Sequence, residues 1–240
     1  MTLKIYKDAD DLSNATAEWI ADLITKTLQK QDRFTIALSG GSTPQKLHQV
    51  LARNYKDKID WSRLHIFWGD ERAVPFDDER NNAKMAYETL LNHVPVPASQ
   101  IHVMRTDIEP EASAKQYDEI LHHYFDNHDT TFDLVLLGMG DDGHTLSLFP
   151  GTEIIHEKKA WVKAFYLQPQ SMYRISLTAP VANRSATIAF LTTGKNKAST
   201  LRSVLKGEFN PEVFPSQLIK PEQGELYWFV DEAAASALKD

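Results

Sequence analysis

The sequence predicts an α/β fold, in which a mostly parallel β-sheet carries helices on both faces. Short apolar, β-branched runs alternate along the chain with longer amphipathic segments. No low-complexity stretch, internal repeat or linker interrupts this alternation. Strands that alternate with helices are typical of parallel sheets covered on both faces. Since 240 residues suffice for a substantial core, we predict a single domain over residues 1–240.

The predicted strands are short apolar runs, and the predicted helices show apolar residues three or four positions apart. The strands are Leu3–Tyr6, Phe34–Leu38, Leu64–Trp68, Ile101–Val103, Phe132–Leu137, Trp161–Phe165, Tyr173–Leu177, Thr187–Thr192 and Leu226–Val230. The helices cover residues 19–28, 44–51, 117–125 and 196–205, with a further helix after Asn82. Ligands of parallel sheets lie beyond the carboxyl ends of the strands. We therefore expect the functional residues in the loops that follow strands.

Composition excludes several classes of function. The chain has no cysteine, which excludes disulfides, thiolate metal sites and a cysteine nucleophile. It has no secretory signal and no run of roughly 20 apolar residues, so we predict a cytoplasmic protein without a membrane partner. A net charge of −7 without basic clusters disfavours nucleic acid, and nothing indicates an obligate protein partner. A small anionic substrate remains compatible, because the local field decides its binding.

The loop after the second predicted strand is the first candidate site. It contains Ser39, Gly40, Gly41, Ser42 and Thr43, followed by Pro44. Glycine allows tight turns and close approach to a ligand, and proline suits the first helical position. Free N–H groups at a helix start favour an anion. The loop lacks the Lys-Ser/Thr pair of a Walker loop. We predict that it binds a phosphate, although a capped turn would have a similar composition.

Charged residues near other strand and helix ends are weaker candidates. Asp70, Glu71 and Arg72 follow the third predicted strand, where they would position a substrate or form a surface ion pair. Arg174 begins the predicted strand RISLT, and Lys197 lies at the start of a predicted helix. Each cation is suited to an anion, but each would equally serve as a solvated surface charge.

The segment Gly138–His144 follows an apolar strand and contains three glycines in the G-x-G-x-x-G pattern of dinucleotide sites. Three features oppose that interpretation. Asp141 and Asp142 would repel a pyrophosphate, Pro150 leaves little room for the usual helix, and only Glu157 stands near the position of the ribose-binding acid. We therefore predict no nicotinamide cofactor.

The same turn presents one imidazole at a strand end. The glycines let the backbone expose His144, and neighbouring carboxylates are placed to orient its ring. An ordinary imidazole, with a pKa of about 6.5, accepts a proton readily at neutral pH. His144 is therefore the candidate general base. The alternative is a histidine that only caps the following turn.

Five segments, in order, resemble the 6-phosphogluconolactonase family along almost the whole chain. They are ALSGGSTP, FWGDERAVP, DLVLLGMGDDGHTLSLFPGT, RISLTAPVAN and TTGKNKA. The resemblance implies a Rossmann-like sheet shared with glucosamine-6-phosphate deaminases and related sugar-phosphate isomerases. It implies hydrolysis of 6-phospho-D-glucono-1,5-lactone to 6-phosphogluconate, in the oxidative pentose phosphate pathway. It also implies that no metal or organic cofactor takes part.

In this interpretation His144 takes a proton from the water that attacks the lactone carbonyl. Asp142 or Asp70 would orient the imidazole. The Ser39–Thr43 loop, Arg174 and Lys197 would hold the phosphate; Arg72 would lie near the phosphate or the lactone hydroxyls. Either Arg72 or N–H groups of the glycine turn would stabilise the developing oxyanion.

Two alternatives to a lactonase are a deaminase and a non-catalytic sugar-phosphate sensor, and sequence features distinguish each of them from a lactonase. The related deaminases carry Asp-Glu-Tyr where this chain has residues 70–72, and Asn-Glu-Pro after the histidine. Here Phe149 stands in that second region, and its ring cannot transfer a proton. A non-catalytic sugar-phosphate sensor would usually be fused to a DNA-binding segment. The predicted first strand near Leu3 leaves no room for one, and none is apparent at the other end.

Overall fold

A six-stranded parallel sheet lies at the centre of the computed structural model, within the residues 1–238 that the structure describes. The strands, in chain order, are β1 (Thr2–Tyr6), β2 (Phe34–Leu38), β3 (Leu64–Trp68), β4 (Asp70–Arg72), β5 (Leu134–Leu137), β6 (Val162–Leu167), β7 (Met172–Leu177), β8 (Thr187–Thr192) and β9 (Glu225–Asp231). The central sheet has the order β1-β9-β8-β5-β2-β3, and its neighbouring strands pair in parallel. The prediction of a mostly parallel sheet is confirmed.

Helices cover both faces of this sheet. They are α1 (Ala9–Leu28), α2 (Ser42–Asn54), α3 (Asn82–Ala86), α4 (Pro110–Phe125), α5 (Ala179–Asn183) and α6 (Ala198–Lys206). Because side chains alternate along a strand, Ile36 packs in the cluster beneath α1 and α2, and Ala37 packs in the cluster that contains residues of α4 and α6. The two-face arrangement is confirmed; the single domain stays a prediction. No helix within residues 1–238 has the length and apolarity needed to cross a bilayer.

A second sheet, which the sequence did not predict, lies beside the first. It is antiparallel, with the order β4-β7-β6. Residues 70–72 were expected to form a loop, yet they form β4, a strand too short to show any apolar period. Only Gly69 separates β4 from β3, and its carbonyl accepts the N–H of Leu177. A Cβ on Gly69 would lie 2.6 Å from Leu146 Cδ2, so a side chain at this close crossing would displace the end of the Leu146 side chain.

Two strands predicted for the central sheet are shorter in the structure. The run Ile101–Val103 forms a single bridge, between Ile101 and Ile66. The run Phe132–Leu137 is a strand only from Leu134. At its start the Asp133 carboxylate accepts the N–H of Thr35 at 2.7 Å, so a side chain replaces the backbone ladder there.

Candidate active site

The loops that follow β2, β5 and β8 meet at the carboxyl edge of the central sheet. These strands are neighbours in the order β8-β5-β2. The hydroxyls of Thr43 and Thr193 lie 2.8 Å apart, which joins the first loop to the last. The Asp141 carboxylate accepts a hydrogen bond from Asn196 at 2.9 Å, which joins the middle loop to the last. Three of the predicted site segments are therefore brought together.

The Ser39–Thr43 loop has the geometry of an anion site. Gly41 precedes α2 with φ of 102°, a conformation that favours glycine. Because glycine has no side chain, no side-chain hydrogen bond caps the N-terminus of α2. A Cβ on Gly40 would lie 1.9 Å from Asn82 Oδ1, so Asn82 packs directly on the loop. Gly41 and Ser42 also line a cavity of about 310 Å³ together with Arg72 and Asn82. The start of α2 and Arg72 thus border one space, where an anion could meet helix N–H groups and a cation.

Asp142 is the carboxylate that contacts the candidate base. Its Oδ1 lies 2.5 Å from His144 Nδ1 and also accepts the His144 backbone N–H at 3.1 Å. Partial burial opposes ionisation of Asp142, but the hydrogen bonds and charge of His144 outweigh it and lower the pKa of that carboxyl. An ionised carboxylate only accepts, so Nδ1 carries a proton toward Asp142; in the neutral form of the imidazole the lone pair is then on Nε2. The side chain of His144 is 28% exposed, which leaves it accessible.

Gly140 has a specific reason to be glycine. A Cβ there would lie 2.0 Å from His144 Nδ1 and 2.5 Å from Asp142 Oδ1. Its N–H donates to the His144 carbonyl at 2.8 Å, which closes the turn around the pair. Any side chain at residue 140 would displace the two groups from each other.

Asp70, which the sequence indicated as an alternative partner of His144, contacts Ser147 and Arg174 instead. It is 7% exposed; its Oδ2 accepts the Ser147 hydroxyl at 2.7 Å and lies 3.5 Å from Arg174 Nη1. Of the two carboxylates considered for orienting His144, the structure thus places Asp142 against the ring and Asp70 against an arginine. The physical reason is the pairing of β4 with β7, which places the side chains of Asp70 and Arg174 on the same face of the small sheet.

Two arginines form the cationic part of the site. Arg72 and Arg174 are directly opposed in the β4–β7 pair, so their side chains leave the same face of that small sheet. Arg174 lies within β7, not at a strand start as expected, and is only 3% exposed. Its burial lowers its pKa, an effect that Asp70 opposes and Arg72 reinforces. Among the described residues, Arg72 Nε, Arg174 Nε and Arg174 Nη1 are buried without hydrogen-bond partners. Such unused donors are suited to an anionic ligand.

Glu71 is neither a surface ion pair nor a ligand group. It is buried, and its carboxylate accepts the backbone N–H groups of Arg72, Asn82 and Ala83 at 2.7–2.8 Å. Burial raises the pKa of Glu71 to about 7, although these N–H donors act in the opposite direction. The expectation of a surface pair was wrong because β4 turns this side chain inward, where it holds the start of α3.

Lys197 lies directly before α6, at the predicted helix start, and forms an ion pair with the loop that follows β5. Its ammonium pairs with the Asp141 carboxylate, and Thr200 donates to the Asp141 carbonyl at 2.6 Å. The pairing explains the lowered pKa of Asp141, whose first cause is the Lys197 hydrogen bond. A phosphate role for Lys197 stays a prediction.

Sequence reasoning assigned no role to Ser147 or Asn82. Both are buried polar residues next to Asp70: the Ser147 hydroxyl donates to its carboxylate, and Asn82 Nδ2 donates to its carbonyl at 2.9 Å. No local pattern marks either one, because Asp70 lies 12 positions from Asn82 and 77 from Ser147, beyond the spacing of helical or strand periods.

Fold and site together define an α/β protein whose sheet edge carries the start of α2, two arginines and a carboxylate–histidine pair. A family model described as "Glucosamine-6-phosphate isomerases/6-phosphogluconolactonase" matches residues 7–228. The 6-phosphogluconolactonase of Nostoc sp. is 37% identical over 241 residues, which cover 99% of this chain and 98% of the relative. The chain belongs to this glucosamine-6-phosphate isomerase/6-phosphogluconolactonase family.

Solved structures agree with this assignment. The 6-phosphogluconolactonase from Trypanosoma cruzi has a TM-score of 0.88 and 26% identity, and covers 100% of this chain and 97% of that one. A monomeric glucosamine-6-phosphate deaminase has a TM-score of 0.85 but 21% identity, covering 99% and 100%. The second likeness shows the fold alone, and it confirms that the sheet is shared with the deaminases.

Proposed function

We propose that the protein hydrolyses 6-phospho-D-glucono-1,5-lactone to 6-phosphogluconate, a step of the oxidative pentose phosphate pathway. The observation that carries the proposal is the Asp142–His144 pair, which leaves one imidazole nitrogen free beside an anion-binding edge. The names of similar proteins, the 6-phosphogluconolactonases of Nostoc sp. and Trypanosoma cruzi, support the same substrate. A lactone with a phosphate needs both parts of such a site, a base for water and donors for the anion.

In the proposed mechanism, His144 Nε2 takes a proton from water as the water oxygen bonds to the lactone carbonyl carbon. The bond from that carbon to the ring oxygen then breaks, and the imidazolium returns the proton to the leaving oxygen. Asp142 fixes the tautomer and stabilises the imidazolium while it exists. Because the lactone is already reactive, one base and accurate positioning supply the modest barrier reduction required.

The phosphate is assigned to the Ser39–Thr43 loop, Arg174 and Lys197. Arg174 contributes Nε and Nη1, two buried nitrogens without a hydrogen-bond partner among the described residues, although Nη1 lies 3.5 Å from Asp70. Arg72 is proposed for the developing oxyanion, since its Nε is also unpaired. The N–H groups of Gly140 and Gly143 are already used inside the glycine turn, which disfavours them for this role.

Deamination of glucosamine 6-phosphate is the main alternative, because the family includes such enzymes. The residue packed on His144 is Phe149, whose hydrocarbon ring has no proton to give. We therefore propose that incubation with glucosamine 6-phosphate releases no ammonia above background. Sustained enzymatic release of ammonia would favour the alternative.

The direct test is a lactone hydrolysis assay on purified protein stripped of metal by a chelator. We expect a rate well above spontaneous hydrolysis, unchanged by added zinc or magnesium. A rate that depends on added metal would contradict the metal-free mechanism. The cytoplasmic location and the absence of nucleic-acid, membrane and obligate protein partners stay predictions.

A further inference from the structure

The segment from His144 to Phe149 folds back on itself as a two-residue turn. Thr145 and Leu148 form an antiparallel bridge, and the Leu148 N–H donates to the Thr145 carbonyl at 2.9 Å. Leu146, in the turn itself, has φ of 53°, a left-handed conformation that is uncommon outside glycine. The next pair outward from the bridge is His144 and Phe149. Their rings stack, with centroids 4.1 Å apart and planes at 29°.

This turn is anchored to the small antiparallel sheet. The Ser147 hydroxyl donates to Asp70 at 2.7 Å, and the Ser147 N–H donates to the Ser176 hydroxyl at 3.1 Å. Asp70 and Ser176 are opposed residues of β4 and β7, so Ser147 holds the tip of the turn to both strands, through its side chain to β4 and its backbone N–H to β7. The Phe149 carbonyl accepts the Thr152 hydroxyl at 2.7 Å, which fixes the end of the segment.

Phe149 also contacts the phosphate side of the site. The guanidinium carbon of Arg174 lies 5.4 Å from the centre of the Phe149 ring, within the range of a cation–π contact. Phe149 is only 7% exposed, so its ring is held in place by its surroundings. One aromatic ring thus contacts both the proposed base and a proposed phosphate ligand.

We propose that Phe149 is a positioning residue for His144, an inference that rests on the proposed lactonase function. Asp142 fixes Nδ1, but a single hydrogen bond leaves the imidazole free to tilt about that contact. The Phe149 ring removes this freedom because it covers one face of the imidazole. The two contacts together hold Nε2 in one direction, toward the water that it activates.

The test compares three variants on the phosphorylated lactone. Phe149→Leu removes the ring and should lower kcat about 10- to 100-fold, because small misplacements of a reacting group carry costs of that size. KM should change less than about threefold. Phe149→Tyr keeps the aromatic ring and should recover most of kcat. The matched control is Phe125→Leu, which alters an equally buried aromatic residue in the core far along α4.

Equal kcat values for Phe149→Leu and Phe125→Leu, measured below both melting transitions, would overturn the inference. So would a Phe149→Tyr protein as slow as Phe149→Leu. A second measurement does not depend on activity. The ring proton signal of His144, identified by its loss in His144→Asn, should move downfield in Phe149→Leu as the aromatic ring current disappears. An unmoved signal would overturn the stacking even if the wild-type protein proved not to be a lactonase.

Discussion

Asp70→Asn tests the buried pair of Asp70 and Arg174, which the sequence did not predict. The substitution keeps the shape of the side chain and an oxygen that accepts the Ser147 hydroxyl, but it removes the charge 3.5 Å from Arg174. Both side chains are at least 90% buried, so water cannot replace the lost partner. Breaking a buried pair on one side typically costs about 3–5 kcal/mol. For a chain of this size that corresponds to a fall in melting temperature of roughly 6–20 °C.

The assay is thermal unfolding with and without inorganic phosphate. Without Asp70, the guanidinium of Arg174 has more to gain from an anion, so phosphate should raise the melting temperature of Asp70→Asn more than that of wild type. Asp107→Asn is the matched control, because Asp107 forms an ion pair with Arg105 at 2.6 Å on the surface. Surface pairs contribute little, so the control should melt near wild type. An Asp70→Asn protein as stable as the control, with no greater response to phosphate, would refute this account of Arg174.

Three further predictions address other groups in the site. Asp142→Asn should lower kcat by about 10²-fold or more with KM nearly unchanged, since the imidazole loses the partner that sets its tautomer; an unchanged kcat in steady-state assays would contradict this. Lys197→Ala should raise KM for the phosphorylated lactone about 10-fold but leave the unphosphorylated lactone much less affected; equal losses would indicate that its pairing with Asp141 is purely structural. Glu71 has a folded-state pKa of about 7, above its ordinary value of 4.5, so its contribution to stability is complete below about pH 4.5 and is lost as the pH rises through about 7. The difference in unfolding free energy between wild type and Glu71→Gln should therefore fall by up to about 3 kcal/mol between about pH 5 and about pH 8, and a constant difference in denaturant titrations would contradict it.

The strands of the central sheet could be predicted because burial on both faces produces continuous apolar runs. Phe34–Leu38, Leu64–Trp68 and Thr187–Thr192 are observed with the predicted bounds. The small antiparallel sheet could not be predicted, since β4 has three residues, all charged, and its pairing with β7 joins segments about 100 positions apart. Such long-range pairing leaves no local pattern.

The same limit applies to the site. The Ser39–Thr43 loop and the Gly138–His144 turn carry local signals, glycines and hydroxyls directly after strands, and both lie at the predicted sheet edge. The partner of Asp70 depends on the pairing of β4, so the sequence left open whether Asp70 or Asp142 contacts His144. The distance between Asp142 and His144 is short in sequence, yet only the structure shows that Gly140 leaves space for their contact.

The measurement that tests the central claim most directly is kcat of His144→Asn, taken together with its melting temperature. His144 is partly exposed and contacts Asp142 and Phe149 through its ring, so its replacement should leave the fold nearly as stable as wild type. Loss of a general base should lower kcat by about 10²- to 10⁴-fold, with little change in KM for the phosphorylated lactone. A folded His144→Asn protein that hydrolyses the lactone at a near-normal rate would contradict the proposed mechanism.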